Sequence, residues 1–432
     1  MNEATRMNPF HDRREAELAV LSALPERAHD LTRLRILADK KRPPVVAVIG
    51  KYNHGKSRLL NELIGHAAFS VADKRETVAL SAHEHGGVQW LDAPGLDADV
   101  ETEDDAHALQ ATWLESDIRL FVHAAKEGEL DASERSLLAS LSSDDQRTRR
   151  QTLFVLSQVD QLAHDQHYRQ VVQTIEAQLP ALEMHTISAT RHRHGIEHSK
   201  NLMRVRSGIP GLQESLERAA ARVPHARSFE TAFLVGNIRD ELQQLKAARL
   251  ALASSLRLGQ ARQRERFDQD LAATLQKVAG DIQAVLEVPG PDHSLAPDSF
   301  ANQFKVTPGK LERNRLQVAY SKACIEINAI LIKHGVTELP LTQRTAVRSL
   351  NSIMIAVLGV YVKYRKDLQQ IFCEVAGRER MEKEFARYFE MSADRVELSA
   401  SIAAAERDLC VAERALEALL GLEDPKMFEK TV

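Results

Sequence analysis

Gly50-Lys51-Tyr52-Asn53-His54-Gly55-Lys56-Ser57 has the spacing G-x-x-x-x-G-K-[ST], which suits one chemistry above others: cradling a phosphate chain. Glycines let the backbone bend closely around phosphate oxygens, so that successive N–H groups face them at the start of a helix. The lysine reaches the β- and γ-phosphates and the hydroxyl ligates Mg²⁺, roles that fall here to Lys56 and Ser57. Gly50, Asn53, His54, Gly55 and Arg58 complete the expected phosphate wall. The context fits. Val45-Val46-Ala47-Val48-Ile49 is an apolar, β-branched run of strand length, and Ser57 to Ile64 has helical periodicity closed by Gly65.

More stretches follow in the order that nucleotide hydrolysis needs. Thr77 sits in a polar loop, where a threonine either closes on Mg²⁺ and the γ-phosphate as a switch or simply opens a strand. Asp92-Ala93-Pro94-Gly95 follows Val88–Leu91. There Asp92 can hold the Mg²⁺ shell through water, and Gly95 leaves its N–H free to approach the γ-phosphate. Ser157-Gln158-Val159-Asp160 ends another strand, with Asp160 placed to accept hydrogen bonds from guanine N1 and the 2-amino group. Ser188-Ala189-Thr190 ends the last strand and offers a backbone N–H to guanine O6, or else a plain turn.

The elements that would position these residues form an α/β domain with a mainly parallel, three-layered sheet between Val45 and about Val223. Expected strands are Thr77–Ala82, Val88–Leu91, Asp117–Val122, Gln151–Leu156 and Leu182–Ile187. Expected helices are Asp104–Glu115, Ser133–Leu141, His167–Gln178 and Gly211–Ala221. Upstream, Asp12 to Lys40 reads as helix interrupted at Pro25. Downstream, apolar residues recur at helical steps. One stripe is Ile238, Leu242, Leu245, Leu252 and Leu256; another is Leu271, Leu275, Val278, Ile282 and Val285. Helices at about Leu311–His334 and Leu341–Cys373 precede a last one striped from Leu398 to Leu419, which pairs within the bundle or with a second copy. The expected domains are thus residues 1–42, a helical segment packing on the stalk; 43–223, the nucleotide domain; and 224–432, an elongated helical bundle or stalk.

At 432 residues, more than one core is expected. Lysine plus arginine (57) nearly balance aspartate plus glutamate (61), which argues against a bulk grip on nucleic acid. Cys324, Cys373 and Cys410 are far apart and give neither a metal spacing nor a disulfide framework, so a reducing cytoplasm is expected. Ile353 to Val362 is apolar throughout and flanked by Arg344, Arg348, Lys363, Arg365 and Lys366. It is either a buried bundle helix or a segment that dips into one leaflet while its flanks meet anionic headgroups.

With these residues in place, the N-terminal half resembles a dynamin-like GTPase, the bacterial kind in particular. The carriers are the run from Gly50 to Gly65, Asp92-Ala93-Pro94-Gly95-Leu96-Asp97, Ser133-Glu134-Arg135, Ser188-Ala189-Thr190 and Ser207-Gly208-Ile209-Pro210. The resemblance covers roughly residues 43 to 223. It implies GTP and GDP as ligands, Mg²⁺ as cofactor, self-association through the GTPase domain or stalk, and a membrane-touching tip near residues 344–366. The expected location is cytoplasmic, or peripheral at the inner face of the cell membrane.

Two departures from that pattern matter. Ser157-Gln158 stands where the family has asparagine and lysine, so the base-reading loop should be less firmly pinned and guanine affinity or selectivity weaker. Leu96 can neither orient nor polarise a water. Asn53 either merely suits a turn conformation or resembles the potassium-binding asparagine of cation-activated GTPases, which implies K⁺ as a further cofactor and faster hydrolysis in potassium than in sodium.

Overall fold

The computed structural model describes residues 13–69, 81–93, 110–179, 183–297 and 299–423. Helix α1, Arg13–Ala23, and helix α2, Ala28–Leu37, are separated by a tight turn at Pro25–Arg27. Proline has no N–H to donate and crowds the preceding turn, so the first helix stops before it.

The nucleotide half then alternates β1 (Val45–Ile49), α3 (Lys56–Ile64), β2 (Ser81–His85), β3 (Val88–Asp92), β4 (Ile118–Ala124), α4 (Ala132–Thr148), β5 (Gln151–Ser157), α5 (Asp165–Gln178), β6 (Met184–Thr186), α6 (Ala189–Glu197) and α7 (Asn201–Val205). Among the described residues the strands form one sheet, in the order β2-β3-β1-β4-β5-β6, parallel except for the β2–β3 hairpin. The continuous apolar run of β1 follows from burial on both faces. Val46 and Val48 pack with Leu59, Leu60, Ile209 and Leu212 on one side. Val45, Ala47 and Ile49 pack with Leu138, Leu141, Val171 and Ile175 on the other. Helices thus cover both faces, giving the three layers expected.

Several expected boundaries move. Of the expected strand Thr77–Ala82, residues 77–80 lie outside the described residues, and Ser81 and Ala82 open β2, Ser81–His85, which turns at Gly86 and Gly87 with φ of 60° and 72°. Asp117 precedes β4 instead of opening it, because its carboxylate accepts the Val45 N–H at 2.9 Å. Helix α4 is longer than Ser133–Leu141. Asp131 and Glu134 form a capping box at its start, and Arg149 in the left-handed region ends it.

The largest correction concerns Gly211–Ala221, which belongs to one helix, α8, Ile209–Leu286. It passes through Pro224, at a cost of about 3 kcal/mol for an interior proline. Burial of Leu216, Ala219, Val223, Ala226 and Glu230 on either side holds the helix through that point.

The later helices are α9 (Pro308–Lys333), α10 (Leu350–Leu358), α11 (Val375–Glu390) and α12 (Ala393–Glu423). Their core joins Phe267, Leu271, Leu275, Val278 and Ile282 of α8 to Leu316, Ala323 and Ile327, to Ile353 and Val357, and to Met381, Phe385 and Phe389. The Phe267 and Phe389 rings stack at 4.2 Å. The expected helix Leu341–Cys373 is broken. Ser349 caps α10 by accepting the Ser352 N–H, and Gly359 ends it at a φ of 90°. On the first α8 stripe Leu252 is exposed and its neighbour Ala253 is buried instead. Helices α12 and α8 lie side by side and antiparallel, with Lys246–Glu413, Arg249–Asp408 and Arg257–Glu406 binding across them.

Two compact units result. One takes the chain to Gln243 and again from Arg414; the other is Gln244–Glu413. They do not divide at 42/43 and 223/224. The N-terminal helices and the first part of α8 belong with the sheet.

Candidate nucleotide site

The phosphate loop leaves β1 at the point where the strand order reverses, with β3 on one side and β4 on the other. Gly50 must be glycine: its φ is 145°, and a Cβ there would lie 2.2 Å from the Val122 carbonyl oxygen. Asn53, with φ 60°, and Gly55, with φ 84°, turn the chain so that Lys56 opens α3. The first amides of that helix have no intrahelical carbonyl to meet and are available to an anion. Lys56 is buried and its ammonium spans the loop, donating to the carbonyls of Gly50 at 2.9 Å and Lys51 at 3.0 Å. Arg58 follows in the same first turn.

Ser57 and Asp92 meet, although they start on different elements. The Ser57 hydroxyl donates to Asp92 Oδ2 at 2.5 Å. Asp92 Oδ1 is buried and has no hydrogen-bond partner among the described residues. Burial pushes the Asp92 carboxyl above its usual value, against the opposing pull of the Ser57 hydroxyl and the Lys56 charge. A hydroxyl beside a carboxylate with an orphaned oxygen is a donor set that fits Mg²⁺, and Ser57 and Asp92 are the residues that would hold it. Thr77 and Gly95 lie outside the described residues.

The base-reading end corrects one expectation. Ser157 closes β5 beside Ala124, close enough for its short side chain to do the pinning. Its hydroxyl reaches the His54 carbonyl at 2.6 Å and the His123 carbonyl at 3.2 Å. Gln158 adds a second tie, donating from Nε2 to the Asn53 carbonyl at 2.7 Å. Ser157→Ala should therefore weaken GDP binding by about tenfold, the value of one lost buried hydrogen bond of ~1–1.5 kcal/mol. Titration with a fluorescent GDP analogue checks this, with a single cooperative thermal transition as the control for folding.

Asp160 is exposed on the short turn Val159–Gln161. The Val159 N–H donates to the Ile187 carbonyl at 3.3 Å, which brings the end of β6 to this turn. Ser188 caps α6 by accepting the Arg191 N–H at 3.0 Å, so Ala189 lies in a helix start and not in an extended strand end. His192 and His194 lie on that helix. His192 is buried, with Nδ1 2.8 Å from Glu62, and Arg193 binds the other oxygen of Glu62 at 2.9 Å.

Residues that sequence spacing did not single out also sit here. Lys51 pairs with Asp131 at the start of α4, and that ammonium together with local hydrogen bonds holds the Asp131 carboxyl well below the usual range. Behind the loop, His54 points inward to the Val122 carbonyl at 3.2 Å, beside His123 and Glu134. Burial keeps His54 below the usual imidazole value, although the Val122 carbonyl acts in the other direction. Only the phosphate-loop position of His54 was visible in the sequence. His123 lies in an apolar strand and carries no spacing signal.

A model of the 50S ribosome-binding GTPase family matches residues 45–158, from β1 through Gln158. An uncharacterized protein of Acinetobacter baylyi is 46% identical over 404 residues, 94% of this chain and 96% of its own. Among solved structures, Era in complex with MgGDPNP and nucleotides of 16S ribosomal RNA is 23% identical at a TM-score of 0.30. That match covers 37% of this chain, and this chain spans 55% of that chain's length. The LeoA bacterial dynamin GTPase from ETEC is 14% identical at a TM-score of 0.33, over 97% of this chain and 100% of that one. A member of an oligomerised bacterial dynamin pair is 14% identical at 0.36, over 96% and 80%.

Proposed function

Because the chain belongs to the same family as the Acinetobacter baylyi protein and carries a GTPase domain, we propose that it is a dynamin-like GTP hydrolase whose helical half acts at a membrane surface. Lys56 and the amides opening α3 hold the β- and γ-phosphates, and Ser57 and Asp92 hold Mg²⁺, which offsets charge on the transferred phosphate. Thr77 closes on the γ-phosphate, Asp160 reads the base, and K⁺ at Asn53 supplies the positive charge that Leu96 cannot. GTP-dependent self-association belongs to the same reading.

One observation supports the membrane surface: a collar of exposed apolar and basic residues around the first turns of α9. Phe300, Phe304 and Val306 are 92%, 95% and 76% exposed. Lys310 fastens their turn by donating to the carbonyls of Asn302 and Gln303 at 2.7 Å. The Val362 N–H donates to Gln317 at 3.3 Å and Arg365 binds Glu312 at 2.8 Å, which brings exposed Val360 and Tyr361 to the same place. Lys305, Lys363 and Lys366 are exposed and flank these residues in the chain, with Lys363 over the Tyr361 ring. Aromatic tips amid lysines suit an anionic interface. The expected run Ile353–Val362 is itself mixed: Ile353, Met354, Val357, Leu358 and Val362 are buried, while Ile355 is 43% exposed. No described helix is long and apolar enough to cross a membrane.

Flotation with anionic vesicles tests this. The native chain should float with the vesicles, and Phe300→Ser with Phe304→Ser should weaken binding by about 100-fold, since each buried phenylalanine contributes ~1.5–3 kcal/mol. Absence of flotation, or flotation indifferent to the pair, refutes the membrane reading. The family description of residues 45–158 favours a second reading, a GTPase acting on a ribonucleoprotein. Nucleotide-dependent cosedimentation with ribosomes, without flotation, would support it.

A further inference from the structure

We propose that His54, His123 and Glu134 form a transition-metal site, for zinc by its donor set, set behind the phosphate loop. His54 comes from the loop itself, His123 from β4, and Glu134 from the first turn of α4. All three are buried, and one donor atom from each lies within 4.8 Å of the others. Zinc in a tetrahedral site has bonds of about 2.0–2.2 Å to nitrogen and oxygen, which places neighbouring donors ~3.3–3.5 Å apart. The distances here bracket that value. Glu134 Oε1 lies 2.9 Å from His123 Nδ1 and 3.8 Å from His54 Nδ1. The Val122 carbonyl oxygen lies 3.2 Å from His54 Nδ1 and supplies a fourth donor. The two imidazole rings stand edge to face, 5.2 Å apart at 85°, and each has its Nδ1 within 4 Å of the same Glu134 oxygen.

The surroundings hold His123 and Glu134 in the form a metal requires. His123 Nε2 lies 3.3 Å from the Gly128 carbonyl, so a proton placed there leaves Nδ1 with a lone pair. Glu134 Oε2 accepts the Asp131 N–H at 3.2 Å, which leaves Oε1 for the ion. The competing account is a hydrogen-bonded pair of core histidines sharing one carboxylate. Both accounts satisfy the polar atoms; only one binds metal. A bound ion would brace the phosphate loop, because the His54 and His123 carbonyls already share the Ser157 hydroxyl. His66, His83 and His85 form another cluster, with ring separations of 5.3 and 5.5 Å, near β2. Its donor atoms do not converge in the same way, and it serves as the control.

Chelator-stripped, full-length protein is titrated with zinc against a chromophoric chelator, and separately with Co²⁺. The expected result is one zinc per chain with Kd below about 1 µM, and visible absorption from four-coordinate Co²⁺. His123→Ala and Glu134→Gln should each weaken zinc by at least ~100-fold, while His83→Ala leaves it unchanged. Three results would overturn the proposal: no zinc held by the folded native chain, a featureless Co²⁺ spectrum, or loss of binding on His83→Ala alone. The Co²⁺ spectrum needs no variant, so misfolding of His123→Ala does not spare the proposal.

Discussion

Lys56→Ala should lose at least ~100-fold in affinity for GTP and GDP while the chain stays folded. The ammonium is already held over the loop by the Gly50 and Lys51 carbonyls, so it meets phosphate with little ordering left to do. Charge-assisted hydrogen bonds contribute about 1.5–3 kcal/mol each, and two of them exceed the ~2.8 kcal/mol that 100-fold represents. Alanine suits the first position of a helix and buries no unpaired group, so the melting temperature should change little. Titration with a fluorescent GDP analogue, alongside thermal melting, separates lost binding from lost fold. Retained affinity in a folded variant would mean that the loop does not hold phosphate.

The second large effect lies away from the loop, in Glu230→Gln. Glu230 of α8 is buried between two arginines: Arg33 donates to it at 3.0 and 2.8 Å, and Arg150 at 3.0 Å. Arg33 also reaches the Leu114 carbonyl at 2.6 Å, and Arg150 reaches the Trp113 carbonyl at 2.7 Å. Asp117 belongs to the same cluster, binding Arg227 at 3.0 Å while it accepts the Val45 N–H. Removing the Glu230 charge leaves two buried guanidinium groups short of a counter-ion, a change that costs about 3–5 kcal/mol in such settings. Urea unfolding should show that loss in the midpoint; a loss below ~1 kcal/mol would show that the cluster relaxes around the amide.

The pH dependence of this cluster has a definite sign. Burial alone would raise the Glu230 carboxyl, but the Arg33 hydrogen bonds and the Arg150 and Arg33 charges more than offset that and hold it below its usual value. A carboxyl with a depressed folded value stabilises the fold above its unfolded value and loses that contribution as pH falls through the folded one. The native chain should therefore lose stability faster than Glu230→Gln on the acid side, below about pH 4.5.

What was legible in the sequence was what local spacing determines. Gly50, Gly55, Lys56 and Ser57 announce a backbone that must bend and a helix that must begin, and the loop forms as that spacing requires. The apolar run Val45–Ile49 announces a strand buried on both faces. Long-range geometry was not legible. Serine looked too short to pin the base-reading loop, because its reach depends on how closely β5 passes β4, and no local pattern encodes that distance. The continuity of α8 through Pro224 was equally hidden. Proline counts against a helix locally, and only packing on both sides of it restores the balance. His123 lies just beyond the expected strand Asp117–Val122, and its partners lie in the phosphate loop and α4.

Titration calorimetry of the folded chain with GDP and GTP, with and without Mg²⁺, tests the nucleotide site most directly. One nucleotide should bind per chain, more tightly with Mg²⁺ present, and Lys56→Ala should remove the heat. No heat for either nucleotide in the presence of Mg²⁺ would contradict the account at its base.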